Sequence, residues 1–375
     1  MANVEIKTPR FYCDVISSHI AKGITQNGEF DVTPTHSSGF IGLQNGTEVE
    51  LFDNKPLNQV DFDTSSDPDG HVLITIDTQY SGSGNDEGER INFLSILNHN
   101  MKSADCKVRI FAGDHATDIT AADGAYCETA DINWSAVTIT QIVNAGATAT
   151  GSDNKSGLAI PSNDGSTLIT FTPSNLRFWG IQFEGTNGTS NDNETTGTFD
   201  NDTDLKIGCV QLGTYFDMPH SPDMTLARAI EFDQNKIFKS MGGQKYGLST
   251  NLGKFVSSTS RSPFLLSTQT ARDSVFYGRT SYDMAFSYVA DTDLIPAIYT
   301  HPIFNNTSTQ RAFIQDVWNT TLGNLLPFIF SVDNTSTGTH AESELIFARF
   351  DSSKLDMKQV AHKLYNIRLK IIEEF

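Results

Sequence analysis

Residues 166–185 read STLITFTPSNLRFWGIQFEG, and two runs within them set the fold class. In STLITFTP (166–173) and RFWGIQFEG (177–185) β-branched and aromatic residues crowd together, and apolar side chains recur at alternate positions. A two-residue period is the mark of a strand with one buried face. In the second run Trp179, Ile181 and Phe183 share a face, while Phe178 alternates with Gly180. Trp179 is therefore expected in a core. A sugar-stacking platform using Trp134, Trp179 and several tyrosines is the competing reading.

The same texture extends outward in both directions. HVLITIDTQY (71–80), KVRIFAG (107–113), VTITQIV (137–143) and LKIGCVQLG (205–213) are strand-like. Polar loops such as YSGSGNDEGER (80–90) and EGTNGTSNDNETTGTFDNDTD (184–204) separate them. Gly, Asn, Asp and Ser suit turns because they tolerate unusual backbone angles or bond their own backbone. The second loop has almost no apolar content and is expected to face solvent and tolerate shortening. NFLSILNHNM (92–101) fits a short helix or a strand about equally. Short strands with frequent turn signals predict a mainly β chain, with a β-sandwich of the jelly-roll type in its first half.

After Gly213 the pattern changes. TYFDMPHSPDM (214–224) has two prolines and no clear alternation. It predicts an ordered connector over 214–225, anchored by Tyr215, Phe216 and Met218. ARAIEFDQNKIFKSMGG (227–243) predicts a strand pair with a Gly-Gly turn after Met241, and SVFYGRTSYDMAFSYV (274–289) alternates again. TQRAFIQDVWNTTL (309–322) is the clearest helix, with Gly323 as its C-cap. LPFIFSV (326–332), ELIFARF (344–350) and LYNIRLKIIEEF (364–375) predict closing strands. The expected organisation is an acidic jelly-roll domain over 1–213, the connector, and a second β-sandwich-type domain with at least one helix over 226–375.

Charge divides along the same line. The chain of 375 residues has a formal net charge of −19. Residues 1–213 hold 11 basic and 29 acidic side chains, a net of −18, whereas residues 214–375 hold 15 and 16, a net of −1. Phosphate backbones and anionic membrane surfaces repel such a chain, which argues against nucleic acid as a partner. The near-neutral second half is the part expected to meet other subunits, with Arg272, Arg279 and Arg311 beside the anchors Tyr215, Phe216 and Met218 as candidate assembly residues. No run approaches the roughly 18 apolar residues of a membrane helix, and the polar start MANVEIKTPR does not read as a secretory leader.

Chemistry-bearing patterns are sparse. The sequence contains no GxSxG, HExxH, Walker or dinucleotide-binding motif, and no enzymatic activity or cofactor is expected. Cys13, Cys106, Cys127 and Cys209 lack CxxC spacing; small buried thiols are the stronger reading and two disulfides the alternative. DFDTSSDPDG (61–70) gathers Asp61, Asp63, Asp67 and Asp69 in one tight turn, a composition calcium favours. The EF-hand spacing is absent, so a solvated acidic turn is the stronger reading.

Two features resemble a known group. The order INFLSILNHNM, CKVRIFAG, LRFWGIQFEG, LKIGCVQLG across residues 91–213 is similar to galactose-binding-like jelly rolls in minor structural proteins of tailed bacteriophages. The match rests on Asn98, His99, Asn100, Arg177, Phe178, Trp179, Gly208, Leu212 and Gly213, with Phe178 where those proteins carry Tyr. The closing ARF strand and IIEEF end, preceded by a helix and PFIF, resemble tail-tip and baseplate proteins. The resemblance implies a virion protein of the tail, made in the host cytoplasm. It implies a homo-oligomeric ring through the second half and other tail proteins as partners. Sugar binding does not carry over, because no ligand-contacting residue is identifiable. The competing class is a receptor- or glycan-binding module that engages a host-surface glycan, and a glycan-processing accessory domain ranks last.

Overall fold

A computed structural model describes residues 6–23, 30–31, 41–78, 87–113, 119, 140–144, 147–148, 158–186, 197–231, 235–249, 279–296, 311–337, 341 and 344–374. The first part of the chain supplies β1 (Arg10–Asp14), helix α1 (Val15–Lys22), β2 (Phe30–Asp31), β3 (Leu43–Asn45), β4 (Val60–Phe62), β5 (Val72–Asp77) and β6 (Glu87–His99). Then come β7 (Cys106–Gly113), β8 (Thr140–Val143), β9 (Ala147–Thr148), β10 (Leu158–Ile160), β11 (Gly165–Leu176), β12 (Phe178–Gly185) and β13 (Leu205–Ile207). β14 (Cys209–Asp217) leads into β15 (Ala227–Glu231), β16 (Asn235–Lys239), β17 (Lys245–Ser249) and β18 (Arg279–Ala290). Helix α2 (Asp291–Leu294), β19 (Phe328–Ser331), β20 (Ile346–Phe350), β21 (Met357–Ala361) and β22 (Leu364–Glu373) complete the described strands and α-helices.

The protein is mainly β, and the strand pairs that carry its sheets are antiparallel. Two layers form the sandwich of the first half. One is the sheet β2-β5-β12-β7-β10-β9, and the other is the β14-β6-β11-β8 portion of a long sheet. The alternation read in RFWGIQFEG is realised: Trp179, Ile181 and Phe183 pack with Val72, Ile74, Val108 and Ile110 against Leu94, Ile96 and Ile169 of the other layer. Trp179 is fully buried, its Nε1–H donating to Leu176 O at 2.9 Å. NFLSILNHNM resolves as strand, the end of β6. LKIGCVQLG breaks at Gly208 into β13 and β14, which join different sheets. A Cβ at Gly208 would lie 2.0 Å from Pro56 O, so only glycine permits that approach.

The long sheet does not stop at Gly213. It runs β15-β18-β22-β20-β19-β1-β14-β6-β11-β8, with β21 beside β22. The connector expected from 214 begins as strand, because β14 continues to Asp217 with Arg10↔Asp217, Phe11↔Phe216 and Tyr12↔Tyr215 in register. β1 pairs on its other side with β19. A Cβ at Gly213 would meet Cys13 O at 2.1 Å, which makes glycine necessary where β1 closes on β14. Phe11 thereby reaches the C-terminal core, with ring centroids 5.1–6.0 Å from Phe313, Phe328, Phe330 and Phe350. A further cluster draws Tyr12, Phe93, Leu97 and Leu168 together with Ile329, Leu345 and Phe347. The two halves thus share apolar cores across the expected boundary.

The helix expected over 309–322 is a single π-type turn, Ile314–Trp318. Thr321 Oγ1 bonds back to Val317 O at 2.9 Å, and Gly323 turns left-handed at φ +68°, so the helix cannot propagate. Helix α1 was not legible from its eight residues. It is held by caps: Asp14 accepts from Ile16 and Ser17 N–H, and Gly23 is left-handed with its N–H on Ile20 O.

Candidate functional site

The residues singled out in the sequence are mostly consumed inside the chain. Phe216 and Met218 are buried in the C-terminal core. Tyr215 lies under Arg10, whose guanidinium carbon is 4.0 Å from the ring centroid, and its N–H donates to Asn92 Oδ1 at 2.8 Å. Arg311 donates to Asp316 Oδ2 and to Thr214 Oγ1, both at 2.7 Å. Arg279 opens β18 opposite Glu231. Arg272 and Trp134 lie outside the described residues, as does Cys127. Cys13, Cys106 and Cys209 are buried free thiols, their pKa pushed up by burial.

The four aspartates of 61–70 do not converge. Asp61 bonds Lys206 Nζ at 3.3 Å, while Asp67 and Asp69 face solvent. Among the described residues no group of three or more His, Cys, Asp or Glu side chains is placed to hold a metal ion. The neighbouring loop 184–204 is anchored where the sequence suggested freedom. Phe199 is fully buried and its N–H donates to Pro68 O at 2.9 Å. A Cβ at Gly185 would strike the Thr198 backbone at 1.9 Å. Residues 187–196 lie outside the described residues.

The motif residues act as clamps. Asn98 sits at φ +53° and donates to Pro56 O at 2.7 Å. Asn100 spans two partners, donating to Asp204 O at 2.7 Å and accepting from Lys206 N–H at 2.6 Å. His99 is buried against Thr167 Oγ1 at 2.8 Å, and burial pushes its pKa down to about 3, so it stays neutral. Arg177 grips Asp77 with two bonds of 2.8 Å and covers the Phe178 ring.

Two charged clusters remain. At the junction of the halves, His19 Nε2 lies 3.3 Å from Glu89 Oε1, and Lys22, Thr214, Gln315 and Asp316 line the same small cleft. Burial lowers the pKa of Lys22 and raises that of Asp316, the latter opposed by Arg311. The cleft has room for about one water molecule, far too little for an organic substrate. Its lining comes from both halves of the chain. In the six-stranded sheet, Glu184 is fully buried, 3.4 Å from Lys107 Nζ and 3.5 Å from Arg109 Nε, and Gln182 donates to it at 3.0 Å. The triad links β12 to β7 and its three charged side chains are all buried.

The opposite case is found in the C-terminal half. Every residue of β15 and β21 is exposed. β16 and β17 form a separate two-stranded sheet, paired from Asn235↔Ser249 to Lys239↔Lys245 around the Gly-Gly turn expected after Met241. Ile237 and Phe238, successive residues and so on opposite faces, are 71 % and 55 % exposed, and Tyr246 is 53 % exposed. A two-stranded hairpin is marginal in water alone, and apolar side chains on both its faces mark a surface that expects a partner. The sequence showed the hairpin but not its exposure. Its one signal was the missing alternation in KIFK (236–239).

No family model, curated protein or solved structure matches the chain. Among the described residues no helix is long and apolar enough to cross a membrane.

Proposed function

We propose that this protein is a non-enzymatic structural subunit that assembles through its C-terminal half, and that the assembly is the tail or tail tip of a phage particle. The observation that carries the assembly reading is the exposed arm β16–β17 with Ile237, Phe238 and Tyr246 outward. A single chain gains nothing by presenting these side chains to water, whereas burying one such side chain against a partner is worth about 1.5–3 kcal/mol. The virion reading rests on the resemblance of residues 91–213 and of the closing strands to tail proteins. The polar interior supports a scaffold role, since its charged groups are spent on holding strands together. The glycan-binding alternative loses its best platform residue in Trp179, which is buried.

Sedimentation velocity of the full chain across a concentration series tests the assembly reading. A discrete oligomer is expected. A species that stays monomeric at every concentration, together with saturable sugar-competed binding on a glycan array, replaces this reading by the receptor-binding one. Copurification with intact particles at fixed stoichiometry tests the virion part.

A further inference from the structure

We infer that the β16–β17 arm of one subunit docks on the acidic N-terminal half of a second copy of this chain, a head-to-tail contact. The inference rests on the assembly reading and names its partner surface. The arm, residues 235–249, carries Lys236, Lys239 and Lys245 and no acidic side chain. Two such arms repel each other, so arm-to-arm pairing is disfavoured. The strongest countercharge available in the same protein is the first 213 residues, at net −18. Within that half, among the described residues, negative charge gathers on two turns that lie side by side. Phe199 N–H donates to Pro68 O at 2.9 Å and Ser65 N–H to Asp204 Oδ1 at 3.0 Å. Residues 62–70 and 199–205 bear Asp63, Asp67, Asp69, Asp200, Asp202 and Asp204 with no Lys or Arg among them.

Among the described residues, the arm does not cover the acidic turns. Lys236, Lys239, Ile237 and Phe238 are exposed, and so are Asp67, Asp69 and Asp202. The complementary surfaces are therefore free at once on one molecule, the condition for a contact between copies. Such a contact is heterologous: each subunit gives its arm to one neighbour and receives an arm from the other. Heterologous contacts generate a ring when the rotation closes and a filament when it does not. Apolar side chains of the arm supply the affinity, while the lysines select the face and speed the encounter. Screening over about 8 Å at physiological salt confines that selection to close approach.

The test is a charge swap in the full chain, read by sedimentation velocity at 0.15 M and 1 M NaCl, with circular dichroism as the folding control. An arm variant combining Lys236→Glu, Lys239→Glu and Lys245→Glu should weaken self-association about tenfold or more. A body variant combining Asp67→Lys, Asp69→Lys and Asp202→Lys should do the same, and mixing the two variants should restore association. A fourth variant, Ile237→Ser with Phe238→Ser, removes the apolar contact without changing charge and should also dissociate the oligomer. If the wild type associates but none of these variants changes it, the arm contact is wrong while the assembly reading stands. If the wild type is monomeric throughout, the assembly reading itself falls. If the arm variants lose binding to anionic phospholipid vesicles while self-association is unchanged, the arm serves a membrane surface and the inference is overturned.

Discussion

Glu184 and Ile237 invert the usual distribution of side chains, one in each half of the chain. Glu184 is a carboxylate with no solvent exposure, wedged between Lys107 and Arg109. Ile237 is an aliphatic side chain 71 % exposed on a hairpin that pairs with no other described strand. Hydrophobicity alone places both wrongly. What separates them is whether the group's partners belong to the same chain. The buried charges of Glu184, Lys107 and Arg109 have theirs in neighbouring strands of one sheet. The exposed apolar side chains of β15, β16, β17 and β21 have none among the described residues that covers them. Internal polarity here marks a finished surface, and external apolarity an unfinished one.

The sharpest way to break this comparison is to cut the chain. If the pairing of β1 with β14 and β19 makes the two halves one folding unit, residues 214–375 alone lack β1 and Phe11 and should show no cooperative unfolding transition by circular dichroism. A fragment that melts cooperatively with a native near-ultraviolet spectrum would restore two independent domains. Next in size is Glu184→Ala. It leaves Lys107 and Arg109 buried without that carboxylate, and should destabilise the protein by about 3–5 kcal/mol in urea unfolding. A loss below about 1 kcal/mol, the range of an exposed pair, means the triad is better hydrated than its burial indicates.

The third test is pH. Burial raises Asp14 to about 6 and lowers His99 to about 3. Asp14 binds a proton in the folded state that the unfolded chain releases near pH 4, so its contribution is full below about pH 4 and is lost as pH rises through 6. His99 refuses a proton that the unfolded chain takes up near pH 6.5, so its contribution is present at neutral pH and lost as pH falls toward 3. The slopes oppose each other between pH 4 and 6. Asp14→Asn removes one of them, and the variant should lose stability on acidification more steeply than wild type, by about 1.4 kcal/mol per pH unit. Parallel urea midpoints for the two proteins at pH 4.5, 5.5 and 7 would refute the assignment. The smallest effect belongs to the arm. Ile237→Ser should change unfolding free energy in dilute, monomeric protein by no more than about 0.5 kcal/mol. A larger loss there would mean the hairpin is already packed.

The fold class was legible because alternation survives in single strands. RFWGIQFEG buries the face its spacing assigns, and KVRIFAG, STLITFTP and LYNIRLKIIEEF became strands where expected. The pairing of β1 with β14 was not legible. Pro219 and Pro222 drew attention to a connector, but the strand ends before them at Asp217, and its partner RFYCD lies 207 positions upstream at the Arg10–Asp217 pair. Pairing across such a separation leaves no local trace in sequence. The acid-rich loop 184–204 hid Phe199, one apolar residue whose burial fixes the whole descending end. The candidate arm was half legible: the Gly-Gly turn announced the hairpin, while exposure depends on what packs over it, which composition does not record.

The position of β1 also sets the order in which the molecule can be finished. Residues 7–14 are made early, yet Lys7 bonds Thr335 Oγ1 at 3.0 Å across 328 positions, and β1 needs β19 on its far side. At about 5–20 residues per second, the nascent strand waits roughly 16–65 s for that partner. During the interval its edge, with Phe11, Tyr12 and Cys13, stays open to other chains. Newly made copies crowded on one messenger therefore face a choice between waiting and exchanging β1, and slower growth temperatures lengthen the wait.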